Sequence, residues 1–193
     1  MLEYIIGIVK EKNPAFVVIE NNGIGYFANI TLNTFTQIGD LSEIKLFIHE
    51  VIREDTHDLY AFFEWKERDI YRKLIGVSGV GPSTARVMLS SLSADEIYVA
   101  ITTSDVSTIK SVKGIGAKTA QRVIVDLKDK LSKSDTELNI FNEEGNTIKE
   151  ESLSALIMLG FSKKQAEKVV DKLIKENADA SVEGVVKSAL KLL

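Results

Sequence analysis

The sequence predicts a multidomain α+β protein: a small closed β-barrel, an all-α domain built on a duplicated hairpin, and a separate three-helix bundle. Three observations predict it. Apolar residues recur with a period of 2 through about residue 62 and near 3.6 from Glu64 onward. The phrase Gly79-Val80-Gly81-Pro82-Ser83-Thr84-Ala85 returns 35 positions later as Gly114-Ile115-Gly116-Ala117-Lys118-Thr119-Ala120. A polar stretch from Ser132 to Lys149 then interrupts the helical pattern before it resumes.

The first 63 residues read as strands over Tyr4–Val9, Phe16–Ile19, Gly25–Ile30, Ile44–Val51 and Leu59–Phe63, rich in β-branched and aromatic side chains. Turn signals bound them at Asn13-Pro14, Asn21-Asn22-Gly23 and Gly39-Asp40, and Asn22-Gly23 between two apolar runs is a hairpin cue. Five such strands suit a closed barrel, which leaves no exposed sheet edge.

Helices follow over Glu67–Ile75, Ser83–Leu92, Ala94–Thr102, Val106–Ser111 and Lys118–Leu131, making a second domain over 64–132. Ser93 before Asp95-Glu96 and Ser104 before Asp105 read as caps, and Pro82 sits where a missing N–H costs nothing. Residues 133–148 read as a flexible polar linker. The last domain, 149–193, shows helical pattern over Glu150–Leu159, Lys163–Lys175 and Val182–Leu193, with a minimal core.

Composition narrows the function. No run approaches the ~18 apolar residues of a membrane span, and the N-terminus lacks the basic and apolar stretches of a secretory signal. There are no cysteines and only two histidines, so disulfides, thiolate metal sites and His-rich cages are excluded. The expectation is a soluble, cytoplasmic protein without cofactor, metal site or membrane partner. The net charge is −4, unevenly spread: −5 over 1–62, +3 over 63–132 and −2 over 133–193. Phosphate contacts belong in the basic middle segment.

Each repeat unit reads as helix, tight Gly-x-Gly turn, helix. Glycine there permits positive φ and lets another backbone approach. The helix that follows turns its free amides and positive dipole end outward, which makes an anion site from backbone alone. Ser83, Thr84, Lys118 and Thr119 add donors, Arg86 and Arg122 on nearby turns are further candidates for binding the DNA backbone, and Val80 and Ile115 pack inward. Such a site reads phosphate and not bases. The plain alternative is a Gly-x-Gly that merely joins two packed helices; duplication, the following Thr-Ala and the basic balance favour binding. Nucleotide motifs fail here: Pro82 stands where Walker A needs Lys, Ala117 where it needs Gly, and no strand and third Gly complete a dinucleotide fingerprint.

The two hairpins resemble helix-hairpin-helix motifs, and the whole chain resembles the RuvA family of Holliday-junction-binding subunits. The most specific string is Val51-Ile52-Arg53-Glu54-Asp55 followed by Leu59-Tyr60-Ala61-Phe62. The resemblance implies an OB-like barrel that assembles a homotetramer, singly or as two tetramers face to face, with Glu54 and Asp55 as an acidic pin at its centre. Carboxylates at a crossover would repel phosphate and keep strands apart; an acidic turn without such a role would simply be solvated. It also implies backbone contacts from Gly79, Gly81, Ser83 and Thr84 and from Gly114, Gly116, Lys118 and Thr119. Ser83 departs from the Lys frequent in the family, and Arg86 is the residue placed to compensate.

The tail resembles a ubiquitin-associated-like bundle that binds the RuvB motor ATPase, with Leu159, Phe161 and Leu190 as contact candidates against a plain core role. RuvC resolvase is a further implied partner. The implied function is non-catalytic: to hold a junction open and planar while RuvB drives branch migration in recombination and repair. The rivals are a helix-hairpin-helix glycosylase or nuclease and a general duplex-binding adaptor. Asp126 lies inside a helical pattern with Lys130 at i+4 and suits a surface pair better than a glycosylase carboxylate. An acidic barrel argues against single-strand binding.

Overall fold

A computed structural model describes the backbone of residues 1–142, 148–176 and 181–193. They form two compact units, Met1–Leu131 and Ser132–Leu193. No helix among the described residues is long and apolar enough to cross a membrane.

The first unit opens with the five expected strands, β1 (Tyr4–Asn13), β2 (Phe16–Asn21), β3 (Ile24–Ile30), β4 (Glu43–Ile52) and β5 (His57–Phe62). They close in the order β1-β2-β3-β5-β4, with β3 and β5 the parallel pair. Alternation places Ile5, Val17, Ile19, Ala28, Ile30, Ile44, Leu46, Ile48 and Ala61 in one buried interior. Asn22 at φ 50° and Gly23 at φ 81° make the tight β2–β3 turn that their sequence signals.

Gly7 is fixed by close approach. A Cβ there would stand 2.2 Å from the Glu20 carbonyl oxygen and 2.7 Å from Ile19 Cγ2. Gly7→Ala is expected to destabilise the protein by about 1–3 kcal/mol through overpacking. Urea denaturation checks this, and a midpoint equal to the parent's contradicts it.

One element was not expected from the sequence. Helix α1 (Leu32–Ile38) joins β3 to β4 and buries Ile38 in the barrel core. Its threonine-rich stretch reads as extended by propensity. The helix forms because Thr31 accepts the Thr34 N–H at 2.9 Å and Ile38 finds an apolar site.

Helices α2 (Trp65–Ile75), α3 (Pro82–Ser91), α4 (Ala94–Thr102), α5 (Val106–Ser111) and α6 (Ala117–Asn142) follow. The expected cap Ser93 is part of a reciprocal capping box with Glu96. The other expected cap is corrected: Asp105 caps α5 through Ser107 and Thr108, and Ser104 takes a left-handed φ of 61°. Bonds from Ser107 and then Thr108 hold the Asp105 pKa down to about 2. Helix α6 continues to Asn142, so the first ten residues of the expected linker are helical, while 143–147 lie outside the described residues.

Barrel and helices are joined by buried polar groups. Arg68, 1% exposed, donates to the Glu3 and Ile48 carbonyls at 2.8 and 3.3 Å and pairs with the Glu3 carboxylate. Glu67 is buried at the start of α2, where Thr31 and Thr34 donate hydroxyl hydrogen bonds to its two oxygens. Burial raises its pKa against those two bonds, and Glu64 adds to the rise. A carboxyl with a raised folded pKa stabilises the fold below its unfolded pKa, and this contribution is lost as pH rises through the folded value. Replacing the Glu67 carboxyl by the amide removes that loss. Between pH 5 and 7.5 the urea midpoint of Glu67→Gln should therefore gain on the parent's as pH rises; a constant gap contradicts this.

The second unit contains the described helices α7 (Ile148–Met158), α8 (Lys163–Glu176) and α9 (Val182–Ala189) around Leu153, Leu156, Ala166, Val170, Val185 and Ala189. Helix α9 stops at Ala189, short of the expected Leu193, and Leu190 caps it.

Candidate nucleic-acid interface

The two Gly-x-Gly turns are near copies in three dimensions. Gly79 has φ 92° and Gly114 φ 91°, a region where only glycine is unstrained. Val80 N–H donates to Val77 O at 3.0 Å, and Ile115 N–H to Val112 O at 3.0 Å. The first intrahelical bonds, Ala85 N–H to Gly81 O and Ala120 N–H to Gly116 O, are both 2.9 Å. The apolar positions that repeat in sequence are the ones that hold the loops. Leu74, Val77, Val80, Ala85, Met88 and Leu89 are buried with their counterparts Ile109, Val112, Ile115, Ala120, Val123 and Ile124.

The second glycine of each turn has a different cause. Gly81 adopts φ −85° and ψ 172°, which any residue can take. A Cβ on Gly81 or Gly116, as on Gly79 or Gly114, meets no protein atom within 4 Å. Internal packing therefore does not require glycine at these positions; a group approaching from outside would. Ahead of the first helical bond, the amides of Ser83 and Thr84, and of Ala117, Lys118 and Thr119, are the orphan donors of α3 and α6. Ser83 and Lys118 stand exposed beside them, with Thr84 and Thr119 half-buried.

The two arginines are placed differently. Arg86 donates to Ala15 O at 3.2 Å and Asn29 Oδ1 at 2.9 Å, which ties α3 to the barrel. Leu32 N–H to Ser90 Oγ at 3.1 Å and Asn33 Nδ2 to Leu89 O at 2.6 Å strengthen that seam. Arg122 reaches from α6 to Ser78, donating to its carbonyl at 3.2 Å and its hydroxyl at 3.1 Å. The second unit of the repeat thus braces the loop of the first, where the sequence offered Arg122 as a cation for the DNA backbone. Lys113, exposed and directly before Gly114, was not singled out from the sequence. Its signal is a charge at the position that Ser78 holds in the first copy.

Glu54 and Asp55 occupy the tip of the β4–β5 hairpin, closed by Arg53 N–H to Thr56 O at 2.8 Å, and residues 52–57 are exposed. Glu50 anchors the hairpin's base. It accepts the Leu2 N–H at 2.7 Å and pairs with His57 at 3.2 Å, and these two contacts, the amide first, hold its pKa below the usual carboxylate range. In the second unit Leu159 and Leu190 are exposed, while Phe161 is half-buried against the core. Met158, 79% exposed beside Leu159, was not anticipated. Gly160, at φ 98°, ends α7 with Phe161 N–H returning to Leu156 O at 3.1 Å.

A closed five-stranded barrel carrying two Gly-x-Gly hairpins that share one apolar core, followed by a helical C-terminal unit, defines a barrel-linked tandem helix-hairpin-helix protein. Residues 1–61 match the family model described as RuvA N terminal domain, 71–129 the SAM-like helix-hairpin-helix tandem, and 147–193 the RuvA C-terminal domain. A protein of Christiangramia forsetii, named Holliday junction branch migration complex subunit RuvA, is 54% identical over 193 residues and all of both chains. Relatives of the same name from Flavobacterium psychrophilum and Bacteroides thetaiotaomicron are 48% and 46% identical, again over all of both chains. The chain belongs to the RuvA family.

Proposed function

We propose that this protein is the Holliday-junction-binding subunit of a branch migration complex and has no catalytic activity of its own. The observation that carries the reading is the pair of matched hairpins whose second glycines face open space beside unbonded helix amides. Each would take one phosphate of a duplex arm through Gly79, Gly81, Ser83 and Thr84 or through Gly114, Gly116, Lys118 and Thr119. The second grips harder, because Lys118 and Lys113 stand where the first has Ser83 and Ser78. Arg86 and Arg122 act by holding the loops in place. The relatives' shared name supports the junction as the target.

Four copies would assemble through the barrel segment, 1–63, and bring Glu54 and Asp55 together where the strands cross. A four-way junction would then engage every subunit at once, so affinity for it would come from multivalency. The helical segment, 64–132, holds the arms. The C-terminal segment, 149–193, would dock a motor ATPase of the RuvB kind through Leu159, Phe161 and Leu190, tethered by the residues between. A junction resolvase is a further partner, and the working compartment is the cytoplasm, where the DNA is.

Light-scattering mass with and without a synthetic four-way junction tests the assembly. A tetramer on one junction, or two tetramers enclosing it, is expected; a monomer bound to one arm contradicts it. Incubation with labelled junction and Mg²⁺ should return the DNA uncut, and cleaved or abasic product would restore the enzyme reading.

A further inference from the structure

Helix α8 departs from local preference in its first turn and along its outer face. Lys163 and Lys164 occupy its first turn, where the helix dipole favours anions, and no acidic residue stands there. Lys164, Lys168 and Lys172 then follow at i, i+4 and i+8, with Lys175 three residues further, all exposed. Like charges at this spacing weaken a helix. At 3.6 residues per turn the four side chains fall within an arc of about 80°. Asp171 shares this face, but Lys149 of α7 holds its carboxylate at 2.6 Å. Glu167 flanks it, and Glu183 of α9 pairs with Lys187 at 2.6 Å. The core is made by the opposite side of α8, through Ala166, Val170, Val169 and Leu173. Lys164 and Lys168 depart from local preference on the side away from the core, and such departures are expected at functional or strained sites.

We infer that this lysine ridge is a second DNA contact, which binds the phosphate backbone of a duplex arm. From Lys164 to Lys175 the helix rises about 16 Å, matching about five phosphates of one strand. Flexible ammonium groups suit phosphate as point charges and read no sequence. The choice of duplex DNA as the polyanion rests on the junction-binding reading. The ridge itself rests on the helix.

The test is fluorescence anisotropy of the full chain across a salt series, on junctions with arms several turns long. On long arms, Lys164→Ala with Lys168→Ala and Lys175→Ala should lower the log–log salt slope by about 0.9 per lysine. Affinity at physiological salt should fall by on the order of 100-fold. The same three positions changed to Arg should keep the parent's slope and affinity. A parent-like slope for the alanine variant on long arms overturns the inference. So does an unchanged slope accompanied by lost stimulation of the motor ATPase, which would assign the ridge to an acidic protein surface. If the parent shows no preference for junctions, the junction reading fails, while the slope difference on duplex still decides the ridge.

Discussion

Replacing Gly81 and Gly116 by aspartate should weaken DNA binding by on the order of 100-fold or more and leave the fold as stable as before, or more so. Gly81 is the N-cap of α3 in extended geometry, and aspartate is among the best residues for that position. Gly116 precedes α6 in the matching place, and a Cβ at either site meets nothing. The new carboxylate would accept the same helix amides that the account gives to phosphate, and would repel the phosphate as well. Each charge-assisted bond lost is about 1.5–3 kcal/mol, so the two hairpins together represent a loss on the order of 100-fold or more. Thermal melts and anisotropy on a junction read the two effects separately. DNA binding equal to the parent's contradicts the backbone cradle. Alanine at Gly79 or Gly114 is a poorer probe, because a φ near +92° makes the fold itself suffer first.

Neutralising the pin should act in the opposite direction. Glu54→Gln with Asp55→Gln keeps the shape of the turn, which the Arg53–Thr56 backbone bond and the Glu50–His57 pair hold independently. Two charges facing phosphate near 4 Å in water repel by about 1 kcal/mol each before screening. Their removal should tighten binding to linear duplex by on the order of tenfold, with a smaller change on the junction. The discrimination between the two substrates therefore narrows. Duplex affinity that stays unchanged removes the repulsive role from these carboxylates.

Much of this was legible in the chain because burial follows simple periods. The strands alternate, and the repeat preserves its apolar spacing because each copy must bury the same six positions against one core. Other features depend on tertiary partners. Helix α1, in which three of the seven residues are β-branched, forms because Ile38 reaches the barrel interior. The ties of Arg86 to Asn29 and of Arg122 to Ser78 span 57 and 44 residues and leave no local trace. The empty space beside Gly81 and Gly116 is the most informative fact about the candidate site, and only coordinates reveal it. The same Gly-x-Gly in a tightly packed helical hairpin would look identical in sequence.

The most direct measurement of the central claim is a competition between a four-way junction and a linear duplex carrying the same arm sequences, at physiological salt. Four subunits gripping four arms around a repulsive centre predict junction binding at least on the order of 100-fold tighter, whatever the arm sequence. Equal affinity for junction and duplex would contradict the account.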